Sequence, residues 1–120
     1  MNLLFRLNQE DIFTLFNSAK KYFENLEKDN KGYFHATTRW LQIKDDEIVY
    51  FLWNENIVAK AKKGHYNYDK ENINFPHAYE LHELEVFDEG RQIDKERLTK
   101  KNTRTMTYLT SDDTAYLETL

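Results

Sequence analysis

The sequence predicts an α+β fold: one curled mixed or antiparallel β-sheet, flanked by an N-terminal helix and a short C-terminal helix. Three features carry this reading. An apolar run from Glu47 to Trp53 is joined through Asn54-Glu55-Asn56 to an alternating run from Ile57 to Lys62. Asparagines tolerate positive φ, so the two runs read as a tight antiparallel hairpin. Apolar residues also recur at helical spacing through Ile12, Leu15, Phe16, Ala19, Tyr22, Phe23 and Leu26, and Thr110 or Ser111 with Asp113 forms a capping signal before Leu120.

Leu3, Leu4 and Phe5 form a short apolar run, and Asn8 followed by Gln9, Glu10 and Asp11 is a helix start with negative charge at its positive end. The helix presents one apolar stripe against Lys20, Lys21, Glu24 and Lys28, and it stops near Asp29 to Gly32, where Asn30 or Gly32 can turn left-handed. Gly32 to Trp40 is rich in aromatic and β-branched residues without clean alternation, which fits an irregular strand or an ordered loop. Lys44-Asp45-Asp46 is a polar turn. In the second hairpin strand Ile57, Ala59 and Ala61 should point one way and Val58, Lys60 and Lys62 the other. Lys63 to Pro76 reads as a long polar connection carrying His65, Tyr66, Tyr68 and Phe75, and connections of that length are more often functional than not. His77 to Phe87 is a further strand whose apolar phase slips near His82 and Glu83, the mark of a bulge. Ile93 to Leu98 suggests a helical turn, Thr103 to Leu109 a late strand, and Tyr116, Leu117 and Leu120 the packing face of the last helix.

A chain of 120 residues, 40% hydrophobic and 32% charged, is one domain's worth, and the three glycines and one proline leave no linker-like stretch. Cysteine is absent, which removes disulfides, thiolate zinc sites and thiol nucleophiles together. No segment approaches the ~20 apolar residues of a membrane helix, and Met1 to Asp11 turns acidic before reaching signal-peptide length. A cytoplasmic protein without membrane contact is expected. The net charge of -4 does not give the basic footprint of a general nucleic-acid binder, although a local patch is compatible with it.

Phosphate-binding glycine loops, HExxH and GxSxG are all missing. His35, His65, His77 and His82 contain no pair at helical ligand spacing, so ordinary hydrogen-bonding histidines are favoured over a metal site, and no cofactor is expected. Glu80, Glu83 and Glu85, or Asp45 to Glu47, read as solvated faces, and Ser18 and Ser111 are not activated nucleophiles. A catalytic role is therefore not assigned.

One constellation stands out. Tyr33, His35, Thr37, Thr38, Arg39 and Trp40 gather planar rings with hydroxyl, imidazole and guanidinium groups, the combination that stacks a nucleobase and bonds its edge. The alternative is that Phe34 and Trp40 are core and Arg39 a surface cation. Lys60, Lys62 and Lys63 follow in the hairpin, with Lys95, Arg97, Lys100, Lys101 and Arg104 further on, and either group could meet phosphates or serve solubility and edge protection.

Asp45-Asp46-Glu47-Ile48-Val49-Tyr50-Phe51 followed by Asn56-Ile57-Val58-Ala59-Lys60-Ala61 resembles the hairpin of PUA-like domains, the superfamily holding the EVE, ASCH, YTH and SRA groups. Phe75 to Leu81 and Tyr108-Leu109-Thr110 are similar to PUA-like modules attached to bacterial restriction endonucleases. Asp45-Asp46 stands where Gly-Asp is commoner, and the GxKxxExR pattern of ASCH domains is lacking. The resemblance implies a pseudo-barrel sheet with a cleft that recognises nucleic acid, often a modified or flipped base, in restriction or defence. On that basis the ligand-binding set is Tyr33, His35, Thr37, Thr38, Arg39, Trp40, Lys60, Lys62, His65 and Tyr66, with a nucleic acid or nucleotide as partner. The alternative is a small acidic inhibitor, encoded by a phage or mobile element, that binds a bacterial nuclease or defence protein through stretches such as Glu80 to Glu89.

Overall fold

The computed structural model describes residues 1–9, 13–99 and 105–120. Six strands form one mixed sheet: β1 (Leu3–Arg6), β2 (Tyr33–Ala36), β3 (Ile48–Trp53), β4 (Asn56–Tyr68), β5 (His77–Gln92) and β6 (Met106–Tyr108), in the spatial order β2-β5-β4-β3-β1-β6. Three helices accompany it, α1 (Phe16–Glu24), α2 (Leu26–Asn30) and α3 (Ser111–Leu117). All pairings are antiparallel except β1 with β3, which run parallel with Leu3 opposite Val49. The sheet is therefore mixed. A parallel neighbour needs a long crossover, and here it contains α1, α2 and β2.

The sheet curls into a half-barrel. In a flat sheet β1 and β2, four strand spacings apart, would lie roughly 19 Å from each other. Instead the Phe5 ring on β1 meets the Phe34 ring on β2 edge-on, with centroids 5.3 Å apart. The inner face so formed holds Phe5, Phe34, Val49, Phe51, Ala61 and Tyr79, and Ala19 and Phe23 of α1 with Leu26 of α2 pack on it. Leu4, Tyr50, Leu52 and Ile57 face outward and are covered by Ile93, Leu98, Leu109 and Leu117. This two-sided cover is why Val49 to Leu52 reads as a nearly unbroken apolar run.

The hairpin forms as expected, with Asn54 at φ 54° in the turn between β3 and β4. Its simple alternation does not hold. Register shifts between Phe51 and Leu52 and between Ile57 and Ala59 place both Val58 and Ala59 on the inner core while Ile57 joins the outer one. An extra residue in one strand leaves two neighbours on the same face. The slip near His82 is present too: Glu83 adopts φ 51°, and the β4–β5 register shifts between Lys60 and Lys62.

Two expected boundaries move. The connection from Lys63 to Pro76 is largely strand, because β4 runs to Tyr68 and pairs with β5 from His77, leaving 69–76 as the loop. Tyr66 opposite Tyr79 and Tyr68 opposite His77 supply the cross-strand contacts that extend the ladder. The first helix is divided at Asn25, and α1 starts from Leu15 without a side-chain cap. The start expected at Asn8 depends on residues 10–12, which lie outside the described residues. The chain leaves α2 through Lys31 at φ 55° and Gly32 at φ 82°, so the left-handed exit involves Gly32 and not Asn30.

The last helix has the expected capping box. The Thr110 hydroxyl accepts the Asp113 N–H at 3.1 Å and the Asp113 carboxylate accepts the Thr110 N–H at 3.2 Å. Lys95–Arg97 is a 3₁₀ turn whose N-cap, Asp94, accepts the Glu96 N–H. Among the described residues no helix is long and apolar enough to cross a membrane.

Candidate functional site

A groove of about 790 Å³ lies between the two ends of the curled sheet. One wall is Phe5 to Gln9, at the end of β1, with Thr105 before β6; the other is Phe34 to Thr37 of β2 with Phe75 from the β4–β5 loop. Four phenylalanines, Phe5, Phe13, Phe34 and Phe75, supply apolar surface, while His35, Thr37 and Asn54 supply polar groups. Polar and apolar side chains line it in about equal measure, and a recess of several hundred Å³ is within the size range of small-ligand sites. The half-barrel makes it by failing to close: β2 and β6 are sheet edges, and the side chains near their ends line the gap.

Beside the groove the inner face continues as an aromatic platform. Period-two alternation sets Phe34, Tyr79 and Tyr66 in one row across β2, β5 and β4, and Ala36, His77 and Tyr68 in the next. Trp40 stacks on Tyr79 at 4.0 Å, Tyr79 lies 5.0 Å from Tyr66, and Tyr66 stacks on His77 at 5.9 Å. The Tyr66 hydroxyl is hydrogen-bonded to His77 Nδ1 at 2.7 Å. The Arg39 guanidinium sits 4.7 Å from the centre of the Tyr66 ring, a cation held flat on a π-face. It makes no ion pair among the described residues. The outer end of the platform is open, with Tyr68 58% exposed.

The sequence-predicted residues divide between two faces of the sheet. Arg39, Trp40 and Tyr66 belong to the inner aromatic system, but Trp40 is 3% exposed and is core, not a wall open to a ligand. His35 and Thr37 line the groove, and Thr38 is exposed between Thr37 and Arg39. His35 Nδ1 is buried without a hydrogen-bond partner among the described residues. Tyr33 lies opposite Glu80 across β2 and β5; burial and then the Glu80 carboxylate raise its pKa.

Lys60, Lys62 and His65 are not brought to the groove. Lys60 Nζ is 2.9 Å from Glu118 and Lys62 is paired with Glu83, while His65 is exposed further along β4. Lys63, mostly buried, pairs with Asp45 at 2.6 Å, and this ion-paired hydrogen bond holds the Asp45 carboxyl below its usual value. Lys20 with Asp88 and Lys95 with Glu55 are further ion pairs. Lys100, Lys101 and Arg104 lie outside the described residues.

Sequence reasoning missed His77 and Tyr79 as platform members and Phe5, Phe13 and Phe75 as groove lining. The alternation of Tyr66 with Tyr68 and of His77 with Tyr79 was a usable signal for the platform. The groove had none, because its walls come from segments roughly 30 residues apart that only curling unites. Among the described residues no group of three or more histidine or carboxylate side chains is arranged to hold a metal ion. No family model matches the chain, and comparison with curated proteins and with solved structures finds no match either.

Proposed function

We propose that the protein is a nucleic-acid or nucleotide binding module that takes a base, plain or modified, into the groove between the sheet ends. The observation that carries this reading is the Arg39 guanidinium resting on Tyr66 beside a groove lined by four phenylalanines. A base needs π-faces to stack on and a few edge donors, and a neighbouring phosphate needs a guanidinium with free N–H groups. Phe75, 43% exposed, would offer the stacking face and His35 and Thr37 the edge contacts. The hairpin resemblance adds the context of bacterial restriction or defence.

The ion-paired lysines shape the mode of binding. With Lys60, Lys62 and Lys63 ion-paired away from the groove, single strands or nucleotides fit better than duplex, and the salt dependence should have a slope near -0.7 per phosphate contacted. Fluorescence titrations of single-stranded and duplex oligonucleotides, plain and modified, over a salt series test the reading. Saturable single-strand binding that Phe75→Ala weakens about tenfold supports it; no binding at the lowest salt sinks it.

A second reading, inhibition of a nuclease or defence protein, is supported by β5, where Glu83, Glu85, Asp88 and Glu89 are exposed along one strand. Such a row could occupy a basic nucleic-acid channel. Stoichiometric, salt-sensitive capture of a purified basic nuclease domain, abolished by charge reversal at Glu85 and Glu89, would establish this reading over the first.

A further inference from the structure

Beyond the groove, the end of the β4–β5 hairpin carries an aromatic strip that one bound base would leave unused. Tyr66 and Tyr68 lie on the same face of β4, two residues and so roughly 7 Å apart along the strand. His77, across the ladder, touches both: its ring stacks on Tyr66 at 5.9 Å and meets Tyr68 edge-on at 5.5 Å. Exposure rises along the strip, from Tyr79 at 1% through the partly buried Tyr66 to Tyr68, which is mostly exposed.

Exposed apolar side chains gather at the same end. Ile73, 86% exposed, and Phe75 belong to the loop that follows Tyr68. One such residue on a surface is ordinary, whereas three at the end of one hairpin mark a contact surface. The loop is tied down from within. The Asp69 N–H donates to the Pro76 carbonyl at 2.7 Å, the Asn72 N–H to the Asp69 carbonyl at 3.1 Å, and the Phe75 N–H to the Asn72 side-chain oxygen at 3.2 Å. A surface ordered before binding loses less freedom when it is occupied. Arg39 joins this end to the groove: Thr37, two residues earlier, lines the groove, while the Arg39 guanidinium rests on Tyr66, one step along β4 from Tyr68.

We propose, resting on the groove assignment, that the ligand is a single strand held over at least two successive nucleotides. One base enters the groove, the joining phosphate meets Arg39, and the neighbouring base stacks on Tyr68. A stacking face, a guanidinium and a second stacking face follow one another on the protein as base, phosphate and base do along a strand. Stacking needs an open π-face, which Tyr68 has and which Tyr79, covered by Trp40, lacks.

Calorimetric titrations with adenosine 5′-monophosphate and the 5′-phosphorylated adenosine dinucleotide, in ribo and deoxy forms, test the inference. The dinucleotide should bind at least about fivefold tighter than the mononucleotide, the increment expected of one more stacked base. A dinucleotide made abasic at one residue should fall back to within about twofold of the mononucleotide. Tyr68→Ala, at an exposed position, should shrink the dinucleotide advantage to less than about twofold, and Tyr68→Phe, which keeps the ring, should retain it. Phe75→Ala should weaken both probes about tenfold and leave their ratio in place. Equal affinity for the two probes, an abasic dinucleotide that binds as tightly as the intact one, or a ratio insensitive to Tyr68→Ala would each overturn the two-nucleotide site while leaving a single-base groove standing. Absence of binding to every probe would remove both.

Discussion

The Tyr79 ring lies flat against the Trp40 indole, 4.0 Å between centroids and 4° from parallel, and its hydroxyl accepts the Trp40 backbone N–H at 2.6 Å. One residue of β5 thereby fixes both the side chain and the backbone of the segment that leaves β2. Burial pushes the Tyr79 pKa up to about 12 even though the Trp40 N–H opposes it. Tyr79→Phe keeps the stack and orphans a buried donor, so urea unfolding should show a loss of about 1–3 kcal/mol. Tyr108→Phe removes a more exposed bond to the Gln42 N–H at 3.2 Å and should cost less than about 0.5 kcal/mol. Equal costs for the two variants would mean that the Trp40 N–H finds another partner.

The Arg39–Tyr66 contact is the hinge of the proposed binding role. Tyr66→Ala should weaken oligonucleotide binding by about tenfold or more through loss of the ring and of Arg39 placement. Lys62→Ala should change it by less than about twofold, because Lys62 is already engaged by Glu83. Fluorescence titration of both variants measures the contrast, and a larger effect at Lys62 would move the site to the opposite face.

Asp113 is 1% exposed and accepts the Thr99 N–H at 2.6 Å as well as the Thr110 N–H. Burial acts to raise its pKa, but these bonds outweigh it and the carboxyl sits below 3.8. A depressed folded value means the stabilisation is fully present above the unfolded value and is lost as pH falls through the folded one. Asp113→Asn should therefore cost about 0.5–2 kcal/mol at neutral pH. The gap from the parent should narrow once pH drops under 3.8. Denaturation midpoints across that range provide the check, and a gap independent of pH would show that the carboxylate charge is not what matters.

Gly64 makes room for an imidazole. A Cβ there would lie 2.2 Å from Cδ2 and Nε2 of His82 and 3.0 Å from the Glu80 carbonyl oxygen. His82 Nε2 is in turn 2.6 Å from the Glu80 carboxylate. Gly64→Ala should drive the ring off β4, break its contact with Glu80 and cost about 1 kcal/mol. An imidazole still bonded to Glu80 in the variant structure would contradict this account.

Much of the architecture could be read locally. Asn54 in the hairpin turn, the Thr110–Asp113 box, the phase slip at Glu83 and the apolar stripe through Ala19 and Phe23 are short-range signals, each set by backbone preference or period. The candidate site was legible only in part. Arg39 and Tyr66 were named without a reason to pair them, and Trp40 could be read as core or as cleft with equal justice because an aromatic side chain suits both.

What the sequence by itself determined is most of the elements, since propensity, capping and alternation act over a few residues. Curvature was the decision of the tertiary structure: it brought the Phe5 ring to within 5.3 Å of the Phe34 ring and left a groove where the sheet does not close. Sheet twist and bulges accumulate over many strands, so the meeting of two distant edges depends on every register at once and on no single stretch of residues.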